Sequence, residues 1–180
     1  MKQLNKIVLV GYMASGKTVI GKELSKVLKK PFVDLDDYII EKEGLSISEL
    51  FDQKGEPYFR KKEISYLKEL LTQKEDFIIS VGGGTPCFVG TMDMINDSSI
   101  SVYLKATNQT LYDRLVPAKV ERPLLSNIAD TMLQEYIAIH LFERSAYYER
   151  AKISTNVDGL AIQAIVENIQ NELLNYSRNA

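Results

Sequence analysis

The chain has 180 residues, enough for one domain with its own core and too few for two domains of ordinary size. Lys and Arg total 22 against 24 Asp and Glu, a formal charge of −2, so no overall basic field exists to hold a polyanion such as DNA or RNA. One cysteine, Cys87, excludes an intramolecular disulfide and a cysteine-based zinc site. No stretch approaches the eighteen or so apolar residues of a membrane span, and the N-terminus lacks a signal-peptide core. The expectation is a single domain over residues 1–180 in the cytoplasm, monomeric, without a nucleic-acid or membrane partner.

Ile7 to Val10 reads as a buried strand, and Gly16 to Lys29 as a helix with Val19, Ile20, Leu24, Val27 and Leu28 inside. Pro31 stops that helix, and Phe32-Val33-Asp34 forms a second short strand. Two short helices follow near Asp37 to Lys42 and Ser46 to Phe51, the latter opened by a Ser46/Glu49 capping box. Glu56 to Thr72 reads as a longer helix with Pro57 in its first turn, and Phe77 to Val81 as a third strand running into Gly82-Gly83-Gly84. Phe88 to Ile95 is expected to be helical. Ile100 to Leu104 is a fourth strand alternating in its middle, and Asn108 to Leu115 a helix. A polar loop over Val116 to Ser126 leads to a long helix from Ile128 to Arg150, a fifth strand at Lys152 to Thr155 and a terminal helix from Leu160 to Leu174. Strand and helix alternating five times define an α/β fold with a parallel sheet covered on both faces, whose ligands bind beyond the carboxyl ends of the strands.

The chemistry-bearing residues fall at those ends. Gly11-Tyr12-Met13-Ala14-Ser15-Gly16-Lys17-Thr18 fits G-x-x-x-x-G-K-[ST] between a strand and a helix. Glycines let the backbone curl so that N–H groups converge on phosphate oxygens, and the helix adds its positive dipole end. Lys17 neutralises the β and γ phosphates, and the Thr18 hydroxyl ligands Mg2+. After the second strand, Asp34 and Asp36 point the same way if the segment is extended. One could hold Mg2+ through water while the other meets an acceptor hydroxyl; helix capping by Asp36 or Asp37 is the alternative.

Gly82-Gly83-Gly84 bares backbone N–H groups to a ligand. On the long helix, Glu63 three residues after Arg60 is placed to steady a guanidinium fork that suits a carboxylate, while Lys61 and Lys62 fit a solvated face. Arg122, in the polar segment after Arg114, resembles a lid arginine that brings charge to the γ-phosphate. Arg144 and Arg150 have surface pairing with Glu143 and Glu149 as the plainer reading, stronger for Arg150. His140 reads as a packing or surface residue, Tyr147 and Tyr148 as packing residues, and Cys87 as a small buried one near the glycine run.

Taken together, the phosphate loop, Asp34-Leu35-Asp36, Phe59-Arg60, the glycine run, Arg122-Pro123-Leu124-Leu125 and Arg144 in Glu-Arg-Ser-Ala-Tyr-Tyr resemble shikimate kinase in order and spacing over nearly the whole chain. The resemblance implies the nucleoside monophosphate kinase-like fold with strand order 2-3-1-4-5, an acceptor region about 34–63 and a lid about 115–125. It implies ATP and shikimate as substrates, with phosphorylation of the 3-hydroxyl on the route to chorismate. Gly11, Met13, Ala14, Ser15, Gly16, Lys17, Thr18, Arg114 and Arg122 then contact ATP, Arg114 near the adenine. Asp36, Arg60, Gly82, Gly83, Gly84 and Arg144 hold shikimate, and Thr18 and Asp34 surround Mg2+. Lys17, Asp36 and Arg122 carry the chemistry. Three departures stand out. Ala14 replaces a frequent glycine, the sequence between Arg114 and Arg122 carries Pro117 and Lys119 and lacks the glycines of other lids, and Thr155-Asn156-Val157-Asp158 lacks the usual basic residue of the adenine side. Gluconate kinase is the nearest enzymatic alternative and a slow nucleotide-binding regulator the other, although no base-reading Asn-Lys-x-Asp is present.

Overall fold

The structure, a computed structural model, describes residues 5–117 and 128–179. Five strands form one parallel sheet in the order β2-β3-β1-β4-β5, with β1 at Ile7–Val10, β2 at Phe32–Asp34, β3 at Ile78–Ser80, β4 at Ile100–Lys105 and β5 at Ile153–Asn156. Every residue of β1 is buried, as are Ile100 to Leu104 of β4, so these strands are covered on both faces. The expected alternation in β4 is absent for that reason. β5, at an edge, alternates buried and exposed.

The helices are α1 (Lys17–Leu28), α2 (Leu35–Glu43), α3 (Ile47–Lys54), α4 (Glu56–Thr72), α5 (Thr91–Ser98), α6 (Asn108–Leu115), α7 (Asp130–Tyr148) and α8 (Ile162–Asn179). α1 and α8 pack on each other, with α1 also against β3 and α8 against β5. α4 packs on α2, α3 and α5. Ser46 opens α3 with the anticipated capping box, its hydroxyl accepting from Glu49 N while the Glu49 carboxylate accepts from Ser46 N. α4 has the expected bounds, Pro57 lying where no intrahelical N–H is needed.

Four expectations fail locally. In α1 only Ile20 and Leu24 of the assigned interior set are fully buried, while Val19 and Val27 are about half exposed. The expected helix at Phe88 is instead a short 3-10 turn at Thr85–Cys87; Phe88 is extended and Gly90 takes a positive φ before α5 starts. Arg150 pairs with Asp93 rather than Glu149, which pairs with Lys105. Lys62 is not merely solvated: it pairs with Glu43 at 2.8 Å and ties α4 to α2. Among the described residues no helix is long and apolar enough to cross a membrane.

Candidate active site

Strand register brings the site together. Leu9 and Asp34 both pair with Ser80, so β1, β2 and β3 finish at one level and release the phosphate loop, the acidic segment and the glycine run side by side. A separate cavity of about 240 Å3 lies at the opposite, amino-terminal end of the sheet between Ile7, Leu28 and Leu173, away from these residues.

The phosphate loop closes on itself. Gly16, the N-cap of α1, takes φ 100°, which an L side chain rarely adopts. Lys17 is buried and its Nζ donates to the carbonyls of Gly11 and Tyr12, each at 2.9 Å, which draws the ammonium over the loop. The Ser15 hydroxyl is buried without a hydrogen-bond partner among the described residues, a donor suited to a phosphate oxygen. Ala14 holds a left-handed φ of 61°, the physical reason a glycine suits that position. Arg114 fastens the loop from outside. Its guanidinium donates to Ala14 O at 3.2 Å, Ser15 O at 3.3 Å and Val157 O at 3.2 Å, joining the loop to the segment after β5.

Beside the loop, the Thr18 hydroxyl donates to Asp34 Oδ2 at 2.8 Å. Asp34 is also the N-cap of α2, accepting from Asp36 N at 3.1 Å. This corrects both the extended reading of Asp34-Leu35-Asp36 and the capping role given to Asp36 or Asp37: the chain turns helical at Leu35, and Asp36 enters the site from the first turn of α2. Burial pushes the Asp36 carboxyl up to about 6, the charges of Asp34 and Glu63 push the same way, and Lys17 opposes them. Lys17, Asp34, Asp36 and Glu63 therefore share one electrostatic neighbourhood.

From there the site continues to a cationic wall. Glu63 is 1% exposed, receives Arg60 Nη1 at 3.0 Å and accepts from the Thr85 hydroxyl. Arg60 is also paired with Glu56 and lies against the rings of Phe51, Phe59 and Phe88. Gly82 must be glycine: a Cβ there would sit 2.8 Å from Glu63 Oε1 and 3.0 Å from Thr85 Oγ1. At Gly83 a Cβ would come within 3.2 Å of Met13 N, so the glycine run lies directly against the phosphate loop. Gly84 faces Arg60, whose Nη1 would be 3.8 Å from its Cβ. Arg144 comes from α7. The thiol of half-buried Cys87, raised by burial, is pulled down by the charges of Arg144 and Arg60.

The structure thus brings together Lys17, Thr18, Asp34, Asp36, Arg60, the glycine run, Arg144 and, behind the loop, Arg114. Arg122 and most of the 115–125 segment lie outside the described residues. Sequence reasoning missed Thr85, Tyr148 and Tyr12. Thr85 was signalled only by following the glycine run, and Tyr148 only by standing four residues after Arg144. The Tyr148 hydroxyl donates to Gly83 O at 2.6 Å. His140 stacks on Tyr136, with ring centroids 4.1 Å apart.

A phosphate loop joined through two carboxylates to an arginine-lined cup defines a kinase that phosphorylates a small acceptor. A family model described as shikimate kinase matches residues 13–174. A shikimate kinase of Flavobacterium psychrophilum is 47% identical over 167 residues, covering 92% of this chain and 97% of that protein. The crystal structure of shikimate kinase from Bacteroides thetaiotaomicron superposes with a TM-score of 0.87 at 37% identity, covering 93% of this chain and 97% of the other. Shikimate kinase from Acinetobacter baumannii in complex with shikimate also has a TM-score of 0.87, at 28% identity, covering 97% and 95% of the two chains. The chain belongs to the shikimate kinase family.

Proposed function

We propose that this protein transfers the γ-phosphoryl group of ATP to the 3-hydroxyl of shikimate, giving shikimate 3-phosphate on the route to chorismate and the aromatic amino acids, as a single cytoplasmic domain. The observation that carries this reading is that Gly82 lies against both Asp36 and Glu63, that Glu63 holds Arg60, and that Arg144 stands over the Tyr12 ring of the phosphate loop. Shikimate has a carboxylate at one end of its ring and hydroxyls at the other. Arg60 and Arg144 supply planar forks for the carboxylate, and Asp36 an acceptor for a hydroxyl proton. The roles below rest on that match between ligand and residues.

Phosphoryl transfer requires positioning and charge neutralisation more than covalent chemistry. Lys17 leaves the carbonyls of Gly11 and Tyr12 for the β and γ phosphates, and the loop N–H groups with Ser15 Oγ hold their oxygens. The Thr18 hydroxyl and Asp34 carboxylate, 2.8 Å apart, are hard oxygen donors that fit Mg2+ and would hold it beside the phosphates. When bound, the ion neutralises charge on the phosphates. Asp36 orients the attacking hydroxyl and takes its proton; its raised pKa keeps it basic enough for that task near neutral pH. Glu63 holds Arg60 in place, and Arg122 brings positive charge from the lid to the transferring group.

A coupled ADP-release assay with shikimate, gluconate and nucleoside monophosphates tests the reading. Turnover is expected with shikimate alone, with phosphate on its 3-hydroxyl by NMR. Preferred turnover of gluconate or a nucleotide, or tight ATP binding with no acceptor phosphorylated, would overturn it.

A further inference from the structure

Arg144 stands against an aromatic ring that belongs to the phosphate loop itself. Its Cζ lies 5.7 Å from the centroid of the Tyr12 ring, within cation–π range. Tyr12 is 1% exposed, and its hydroxyl is buried with no hydrogen-bond partner among the described residues. Among the described residues it is the ring face that meets another side chain. The backbone carbonyl of the same residue receives Lys17 Nζ. Position 12 is one of the four free positions in G-x-x-x-x-G-K-[ST], where phosphate binding uses the backbone and leaves the side chain open to another task. Tyr148 stands in the electrostatic neighbourhood of Arg144. Burial raises the Tyr148 hydroxyl's pKa and the nearby Arg144 charge pulls it down, and that hydroxyl donates to Gly83 O at 2.6 Å. The support of the guanidinium that the geometry shows is thus the Tyr12 ring of the phosphate loop, with Tyr148 bonded to the glycine run nearby.

We propose that Tyr12 is a positioning residue for Arg144: its ring fixes the guanidinium that grips the acceptor carboxylate, so the residue beneath Lys17 also sets acceptor affinity. The inference rests on the reading above that Arg144 meets the acceptor's carboxylate. An unrestrained arginine must give up side-chain freedom when it binds, and a buried ring beneath it removes part of that cost in advance. Losing a partly desolvated cation–π contact is expected to weaken binding by about tenfold.

The test is steady-state kinetics, with shikimate and ATP varied separately, on Tyr12→Leu, Tyr12→Phe, Arg144→Lys and the double variant Tyr12→Leu/Arg144→Lys. Tyr12→Leu is expected to raise the KM for shikimate by about tenfold, with kcat and the KM for ATP changed by less than about twofold. Tyr12→Phe, which keeps the ring, restores wild-type values. In the double variant the two losses combine to less than their product, because both act on one guanidinium. Tyr12→Met, similar in bulk but without a π face, repeats the test if the leucine variant folds poorly. The proposal is overturned if Phe is as damaging as Leu, if the KM for ATP rises as far as that for shikimate, or if the double variant shows the full product. Should Arg144→Lys leave the shikimate KM unchanged, the acceptor-site reading itself falls; should Arg144→Lys raise it while Tyr12→Leu does not, only the inference about Tyr12 falls.

Discussion

Asp36→Asn should make the protein more stable and inactive at once. The amide keeps the shape of the carboxyl but removes its charge. Burial first, then Asp34 and Glu63, lift the carboxyl from an ordinary 3.8 to about 6. At about 1.4 kcal/mol per pH unit, the folded state disfavours the ionised form by about 3 kcal/mol. Because the folded pKa exceeds the unfolded one, the folded chain binds this proton more tightly. The stability from that proton is fully present below about pH 4 and lost as pH rises through about 6. Wild type carries the penalty at pH 8 and not at pH 4. The variant lacks the charge at both, though its amide still pays some desolvation, so a gain of about 2 kcal/mol is expected at pH 8. Urea unfolding followed by circular dichroism at pH 4.5 and 8 measures it, pH values chosen to bracket a pKa of about 6. The gain should shrink toward zero at the lower pH. A variant less stable than wild type at pH 8, or a gain independent of pH, would refute the reasoning. For wild type, kcat/KM for shikimate should fall as pH drops below about 6, where Asp36 takes up its proton.

Glu63→Ala leaves Arg60 with Glu56 but without its buried partner, and removes the acceptor of the Thr85 hydroxyl. A loss of about 3 kcal/mol in urea unfolding is expected, and a loss under about 1 kcal/mol would contradict the pairing. Arg114→Ala removes three carbonyl contacts that brace the phosphate loop, and should raise the KM for ATP by about tenfold with the KM for shikimate unchanged. An equal rise for both substrates would argue against a role confined to the loop. Ala14→Gly relieves a left-handed alanine costing about 1–2 kcal/mol while freeing the unfolded chain by somewhat less, so a net gain of about 0.5 kcal/mol is expected in thermal unfolding. A clear loss would show that the backbone there is not strained.

The frame was legible wherever one local signal dominated. A four-residue apolar run ending in the glycine loop could be little other than β1 and its turn, and Pro57 with the apolar spacing after it delimited α4. Strand order itself came from the resemblance, since periodicity says nothing about which strands are neighbours. What failed depended on tertiary context. Val19 and Val27 fit an apolar helical face, but α8 and the sheet cover only part of α1. The Asp34 carboxylate competed successfully for the cap of α2, and that bent Asp36 out of an extended segment. Pairs such as Arg150 with Asp93 and Lys62 with Glu43 join residues distant in sequence, while nearer acids offered equally plausible partners. Lys17, Asp36, Arg60 and the glycines of the candidate site stood out in the sequence because they are the residue types that the proposed recognition of phosphate and carboxylate would use. Thr85, Tyr148 and Tyr12 were not, because a residue that holds another in place has no motif of its own.

The central claim is that the phosphate loop and the arginine cup face one another and hold the two substrates at once. A crystal structure with shikimate and a non-hydrolysable ATP analogue tests it most directly. The predicted result has the shikimate carboxylate hydrogen-bonded to Arg60 and Arg144, its 3-hydroxyl on Asp36 and pointing at the γ-phosphate, and Lys17 moved from the Gly11 and Tyr12 carbonyls onto the phosphates. Shikimate bound away from these residues, or a γ-phosphate unable to approach its hydroxyl in line, would contradict the account.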